Sequence, residues 1–298
     1  MASQRDVRNR IGSVKNVQKI TRAMEMVAAA RLRRAEQRIR ALRPYAEAIR
    51  RMTRQASRAA GAEVARLPLL REHDSEDSVA LLLITGDRGL AGGFNSQIIR
   101  AGISRGQELS DAGRRVAWYA TGRRGVSSLT FRGRELSGAY TGFSDGPAYA
   151  DARSVADDLM SAYVDGALDR VELIFNAYVS PLVQRVTSET LLPLSRATIT
   201  GEQEAEEEQQ GSRALVEYEP EPDQLLTRLV PDYVEISIYR ALVESAAGFF
   251  GAQTTAMRSA SENAGELISD LTLQMNRARQ AEITQEIMEV VAGAEGLS

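Results

Sequence analysis

At 298 residues, with 43% hydrophobic and 26% charged residues, the chain has the size and composition of one or two folded domains. Its formal net charge of −3 is too small to mark it as a polyanion or polycation. The absence of cysteine excludes disulfides and thiolate chemistry, and a single histidine, His73, excludes His-pair and Cys/His zinc sites. No apolar run is long enough to span a bilayer as a helix.

Taken in chain order, Ser3 to Arg58 reads as one long amphipathic helix. Val7, Ile11, Val14, Val17, Ile20, Met24, Val27, Leu32, Ala35, Ile39, Leu42, Ile49 and Met52 follow steps mostly of three and four. Sixteen basic residues against four acidic ones give this segment a balance of +12. The polar start, Met1 to Arg10, lacks the apolar core of a secretory signal and predicts a chain that is not exported.

The period then changes. Val79 to Thr85, Val116 to Ala120, Val171 to Tyr178 and Gln184 to Leu192 read as strands. Helical patterns at Asn95 to Leu109, Gly122 to Phe131 and Tyr149 to Leu168 separate most of them, which predicts an α/β sheet domain. His73 reads as a solvent-exposed linker residue ahead of the first strand, and Trp118 as a packing residue. The acidic stretch from Gly201 to Gly211 reads as a solvated loop.

The tempting motif is GDRGLAGG, Gly86 to Gly93, placed after a strand and before a helix. Its glycine spacing fails the dinucleotide fingerprint. It also lacks the lysine of a Walker loop, since the only lysines are Lys15 and Lys19. A tight structural turn is the expectation, with no catalytic, cofactor or metal residues.

The chain closes on a second long amphipathic pattern, Tyr239 to Leu297, with Leu242, Phe249, Met257, Ala264, Leu267, Leu271, Met275, Ile283, Ile287 and Val291 among its apolar positions. From Glu221 onward the balance is −7. The two terminal helices, each roughly 80 to 90 Å if straight, are expected to bury each other as an antiparallel coiled coil. The expected division is residues 1–60, a central Rossmann-like α/β domain at 75–220, and residues 221–298. With the first helix ending near Arg58 and the last starting just after Pro222, Met24 should lie level with Met257. The last twenty residues should then project as a single helix.

Specific segments also carry a resemblance. RIGSVKNVQKITRAMEMVAAARLRRAEQR (Arg10 to Arg38) resembles the first helix of the gamma subunit family of F-type ATP synthases. ASENAGELISDLTLQMNRARQAEITQEIMEVVAGA (Ala260 to Ala294) is similar to that family's last helix, and GDRGLAGGFN to its central-domain turn. The chain departs from the family pattern at Gly86 and Ala91, at Gly248, Phe249 and Phe250, and in the acidic stretch at 201–211.

The resemblance implies a non-catalytic rotor shaft, present in one copy per complex, that couples proton-driven rotation of a ring of c subunits to the catalytic cycle. Implied partners are the alpha and beta subunits of the catalytic hexamer, the epsilon subunit and the c-subunit ring, with no nucleic acid. The implied location is the cytoplasmic face of a bacterial cell membrane, reached through the complex. It assigns partner contacts to Met24, Arg31, Arg33, Arg34, Arg279, Gln280, Thr284, Glu286 and Ile287, with Arg22 beside them and Val290 and Val291 toward an apolar sleeve. Two other readings stay open from the residues alone: a basic coiled coil that binds nucleic acid, and an enzyme built on the sheet.

Overall fold

A computed structural model describes residues 4–60, 67–71, 73, 76–194 and 221–295. The acidic stretch at 201–211 and Leu297 lie outside the described residues. The chain forms two compact units: Met1–Ala29 with Gln253–Ser298, and Ala30–Ala252.

The first long helix, α1, runs Gln4–Ala60, and the last, α5, runs Pro222–Glu295. Both are rich in Ala, Arg, Glu, Gln, Leu and Met, which cost little in a helix, and both continue through an internal proline, Pro44 and Pro231. The last helix thus begins well before Tyr239, where the strongest amphipathic pattern sets in.

In the smaller unit these helices pair antiparallel. Val7 and Ile11 pack with Leu271, flanked by Val14, Ile268 and Met275. Gln18 Nε2 donates to the Ser261 carbonyl at 3.2 Å, and Arg258 Nε to Glu25 Oε1 at 2.9 Å. Both pairs fall within two residues of the register that sets Met24 level with Met257.

The seam itself corrects the sequence reading. Val17, Ile20 and Val27 were expected in it, yet they are 53%, 58% and 54% exposed. Thr21 and Ala28 are buried in their place, and Gln18 and Glu25 make the two polar cross-links. The seam follows a strict 3.5-residue repeat, and the larger Val and Ile side chains sit one position off it. In α5, Leu271 is buried while Leu267, also expected in the seam, is 41% exposed. Large apolar side chains are therefore left bare on a unit made of only two helices.

The larger unit holds a five-stranded sheet. Its strands are β1 (Ser78–Ile84), β2 (Arg115–Thr121), β3 (Leu136–Tyr140), β4 (Arg170–Ser180) and β5 (Val183–Leu192), in the order β3-β2-β1-β4-β5. All neighbours are parallel except β4 and β5. Helices α2 (Phe94–Asp111), α3 (Arg123–Phe131) and α4 (Tyr149–Val164) connect them. Central β1 is buried at all seven positions, as a parallel strand covered on both faces must be. Val79, Leu81 and Leu83 meet α2 and α3 on one face, together with Leu32 and Ala35 of α1 and Phe249 and Phe250 of α5. Ala80, Leu82 and Ile84 meet α4, Leu226 to Leu242 of α5, and Ile49 and Ala56 of α1 on the other.

Strand β3 was missed in the sequence because LSGAY is short and holds a glycine. Tyr119 lies against Gly138, where a Cβ would come within 2.5 Å of its ring. Trp118 is buried as expected. His73 is not a solvent-exposed linker residue: its Nδ1 lies 2.7 Å from Asp169 Oδ1, and its ring stacks on Tyr163 with centroids 4.7 Å apart. Asp169 also accepts the amides of Asp77 and Ser78, so this carboxylate ties the segment before β1 to the start of β4.

Candidate functional site

In a parallel sheet of this kind, ligands usually bind beyond the carboxyl ends of the strands, where backbone amides and helix N-termini favour anions. Here that place holds a carboxylate of the chain itself. Asp87, in the turn after β1, accepts the amides of Gly142 and Ser144 at 3.0 and 3.1 Å, the Ser144 hydroxyl at 2.9 Å, and the amide of Arg123 at the start of α3 at 3.1 Å. The rest of the turn is wired in the same way. Gly86 N–H donates to Asn95 Oδ1, Asn95 Nδ2 donates to the Arg88 carbonyl, and Asp87 N–H donates to Ser144 Oγ. Gly122 is required beside it, because φ is +82° and a Cβ would lie 2.2 Å from the Thr85 carbonyl oxygen. The amides of Arg123, Gly142 and Ser144 converge on Asp87, so this carboxylate ties the turn to α3 and to the segment after β3.

Burial pushes the Asp87 carboxyl up, but the hydrogen bonds from Gly142, Ser144 and Arg123 outweigh it and hold the pKa below the ordinary carboxylate value. A depressed folded-state pKa means stability that is present above the unfolded-state value and lost as pH falls through the folded-state one. Asp87→Ala should therefore cost about 2 to 3 kcal/mol at neutral pH, with a smaller difference from the parent in strong acid. Urea melts of both proteins at pH 7 and at pH 2 to 3 check this.

Two positions singled out in the sequence, Gly86 and Phe249, meet at this turn. A Cβ at Gly86 would meet the Phe249 ring at 3.0 Å, and Ala91 belongs to the same buried cluster as Phe249. Phe249 packs edge-on against Phe94 and Phe250, with centroids 5.5 and 5.6 Å apart. A larger side chain at 86 would have to displace that ring.

The expected contact residues divide into three sets. Met24 is half-buried. Arg33 and Arg34 are exposed, but Arg31 is engaged within its own unit: Nη1 donates to Asp145 Oδ2 at 2.8 Å, and the guanidinium lies 5.6 Å from the centroid of the Phe250 ring. Arg279, Gln280, Thr284, Glu286 and Ile287 are all exposed, as is every residue from 279 to 288. Thr284 Oγ1 donates to the Gln280 carbonyl one turn back, so it serves its own helix. Ile283, Ile287, Met288 and Val290 are 47%, 57%, 64% and 73% exposed on this single-helix stretch. Sequence reasoning did not anticipate Val17, Ile20 and Val27 as bare apolar residues; stricter use of the 3.5-residue repeat would have separated them from the seam.

The fold is thus a five-stranded α/β unit and a two-helix unit, built from long helices encoded on either side of the sheet in the sequence. The sequence pattern of the family described as ATP synthase matches residues 3–297. The ATP synthase gamma chain of Rubrobacter xylanophilus is 41% identical over 302 residues, covering 100% of this chain and 99% of that one. The gamma chain of Streptomyces coelicolor is 42% identical over 301 residues, covering 100% and 97%. The chain belongs to the ATP synthase gamma chain family. At the level of fold it is similar to a chain of the Euglena gracilis mitochondrial ATP synthase OSCP/F1/c-ring structure, with a TM-score of 0.69, 16% identity and coverage of 99% and 94%. A chain of the Tetrahymena thermophila mitochondrial ATP synthase central stalk/c-ring structure gives 0.59, 24% identity and coverage of 81% and 99%.

Proposed function

We propose that this chain is the rotor shaft of a bacterial F-type ATP synthase, non-catalytic in itself, which couples turning of a c-subunit ring to the conformational cycle of catalytic beta subunits. The observation that carries the reading is the bare apolar surface of the two-helix unit: Val17, Ile20, Met26 and Val27 on α1, and Leu273, Ile283, Ile287, Met288 and Val290 on α5. Large apolar side chains left bare along one stripe of α1, and again toward the end of α5, are the kind of surface that a protein partner covers. An enclosing hexamer of alpha and beta subunits supplies a sleeve for it.

In this reading Met24, Arg33 and Arg34 meet the moving parts of the beta subunits, and Arg279, Gln280 and Glu286 form polar contacts toward the end of α5; the exposure of all but half-buried Met24 supports it. Arg31 contributes less directly, since Asp145 and Phe250 already hold it. Among the described residues no helix is long and apolar enough to cross a membrane. Attachment to the cytoplasmic membrane face therefore rests on the epsilon subunit and the c ring. Rotation transmits energy as the difference in contact free energy between shaft and catalytic states.

The isolated chain is expected to hydrolyse no ATP, whereas adding it to alpha and beta subunits should raise their turnover and yield a complex with one copy of this chain. Hydrolysis assays on the chain and on the reassembled complex, with native mass measurement of the latter, test this. Turnover by the isolated chain, or a complex that forms and turns over equally well without it, would overturn the proposal.

A further inference from the structure

The larger unit contains a basic pocket of about 310 Å³ that the reading above leaves without a small-molecule role. Arg31, Arg34 and Arg38 line one side, spaced along α1 so that they share a face, and Asp145, Gly146 and Val243 line the rest. Asp145 is the sole carboxylate among the lining residues, and it is already shared by Arg31 at 2.8 Å and Arg88 at 3.5 Å. Among the described residues no carboxylate lies within ion-pair distance of Arg34 or Arg38. The lining therefore carries a surplus of two positive charges in a space the size of a small ligand.

The walls engage Arg31 and Arg38, while Arg34 and Arg38 are both exposed residues that a ligand from solvent can reach. Arg31 is fixed between Asp145 and the Phe250 ring. Arg38 lies against the backbone of Gly146, where a Cβ would come within 3.1 Å of its Nη1, so the missing side chain leaves room for the guanidinium. Guanidinium groups bind oxyanions through paired, charge-assisted N–H donors, and a compact polyanion can satisfy several of them at once. A partner's carboxylate can reach Arg34 where it is exposed, whereas a compact polyanion can engage Arg34 and Arg38 together.

We propose that this pocket binds a compact polyphosphate oxyanion, of the pyrophosphate class, held mainly by Arg34 and Arg38. Asp145 opposes the ligand but is offset by the arginines that share it, which limits the site to highly charged anions and disfavours chloride or a monocarboxylate.

Calorimetric titration of the full chain with pyrophosphate, at constant ionic strength and against a sulfate control, tests the proposal. Saturable binding of one equivalent is expected, tighter than for sulfate. The double variant Arg34→Gln, Arg38→Gln should lose about tenfold or more in affinity, while Arg33→Gln, on the same helix but outside the lining, should bind as the parent does. Thermal melts without ligand establish that each variant is folded, and if the double variant is not, Arg34→Lys, which keeps the charge and loses the paired geometry, takes its place with a smaller expected loss. Equal loss in Arg33→Gln would show a diffuse basic helix face and overturn the site. The absence of saturable binding, with the double variant impaired only in assembly with alpha and beta subunits, would assign these arginines to a protein partner and equally overturn it.

Discussion

Arg105→Ala is expected to destabilise the larger unit by about 3 kcal/mol or more, the largest loss expected from any single surface-to-core ion pair among the described residues. Glu172 lies near the start of β4, paired with Leu81 of β1 on one side and Thr190 of β5 on the other, and its side chain is only 2% exposed. Arg105 of α2 grips it with a two-point fork, Nε to Oε2 at 2.9 Å and Nη2 to Oε1 at 2.8 Å. Arg170 approaches Oε1 at 3.0 Å from the same strand. Burial pushes the Glu172 carboxyl up, and the Arg105 hydrogen bonds with the charges of Arg170 and Arg105 more than reverse this, leaving the pKa below its ordinary value.

Because that folded-state pKa is depressed, the stabilisation is present above the unfolded-state value and fades as pH falls through the folded-state one. Removing Arg105 leaves a buried carboxylate with Arg170 as its remaining close partner, so the loss falls toward the lower end of the range for broken buried pairs. Denaturant melts at pH 7 measure it directly. Replacing both groups with leucine should recover part of the loss, since no charge then remains buried at 172. If Arg105→Ala melts as the parent does, water or Arg170 alone suffices for Glu172.

Glu172 also shows where the sequence stops being informative. VELIFNAY was legible as a strand from its apolar content, and the strand is there. Nothing in it shows that a buried glutamate will be met by an arginine 67 residues upstream, because the pairing depends on how α2 crosses the sheet. The same limit applies to His73, whose partner Asp169 lies 96 residues on in the sequence, and to Gly86 and Phe249, recognisable as packing partners only in three dimensions. Local and periodic features fared better. Four of five strands and the three connecting helices followed from spacing, and the antiparallel register of the terminal helices followed, to within two residues, from where those helices end and begin. The error over Val17, Ile20 and Val27 arose because α1 carries two apolar stripes. Counting apolar residues does not reveal which stripe is buried within the chain and which is left bare.

That distinction bears on the tip of α5, where removing Arg279 and Gln280 together should damage coupling and spare the fold. Both side chains are exposed, and among the described residues neither forms an ion pair or side-chain hydrogen bond with another part of the chain. Alanine is at least as good a helix former as either. Exposed substitutions of this kind usually change stability by less than about 0.5 kcal/mol, which for a chain of this size means a melting shift of less than about 2 °C. At a partner interface, by contrast, an arginine with its neighbour can be worth about 2 kcal/mol, or roughly a thirtyfold change in the equilibrium it serves. ATP-driven proton pumping by membranes carrying the Arg279→Ala, Gln280→Ala chain should therefore fall about tenfold or more, while the isolated variant melts with the parent. Pumping and melting measured on the same preparation separate the two roles. Unchanged pumping would remove these residues from the coupling surface, and a lowered melting temperature accompanied by normal pumping per ATP would place them in the fold.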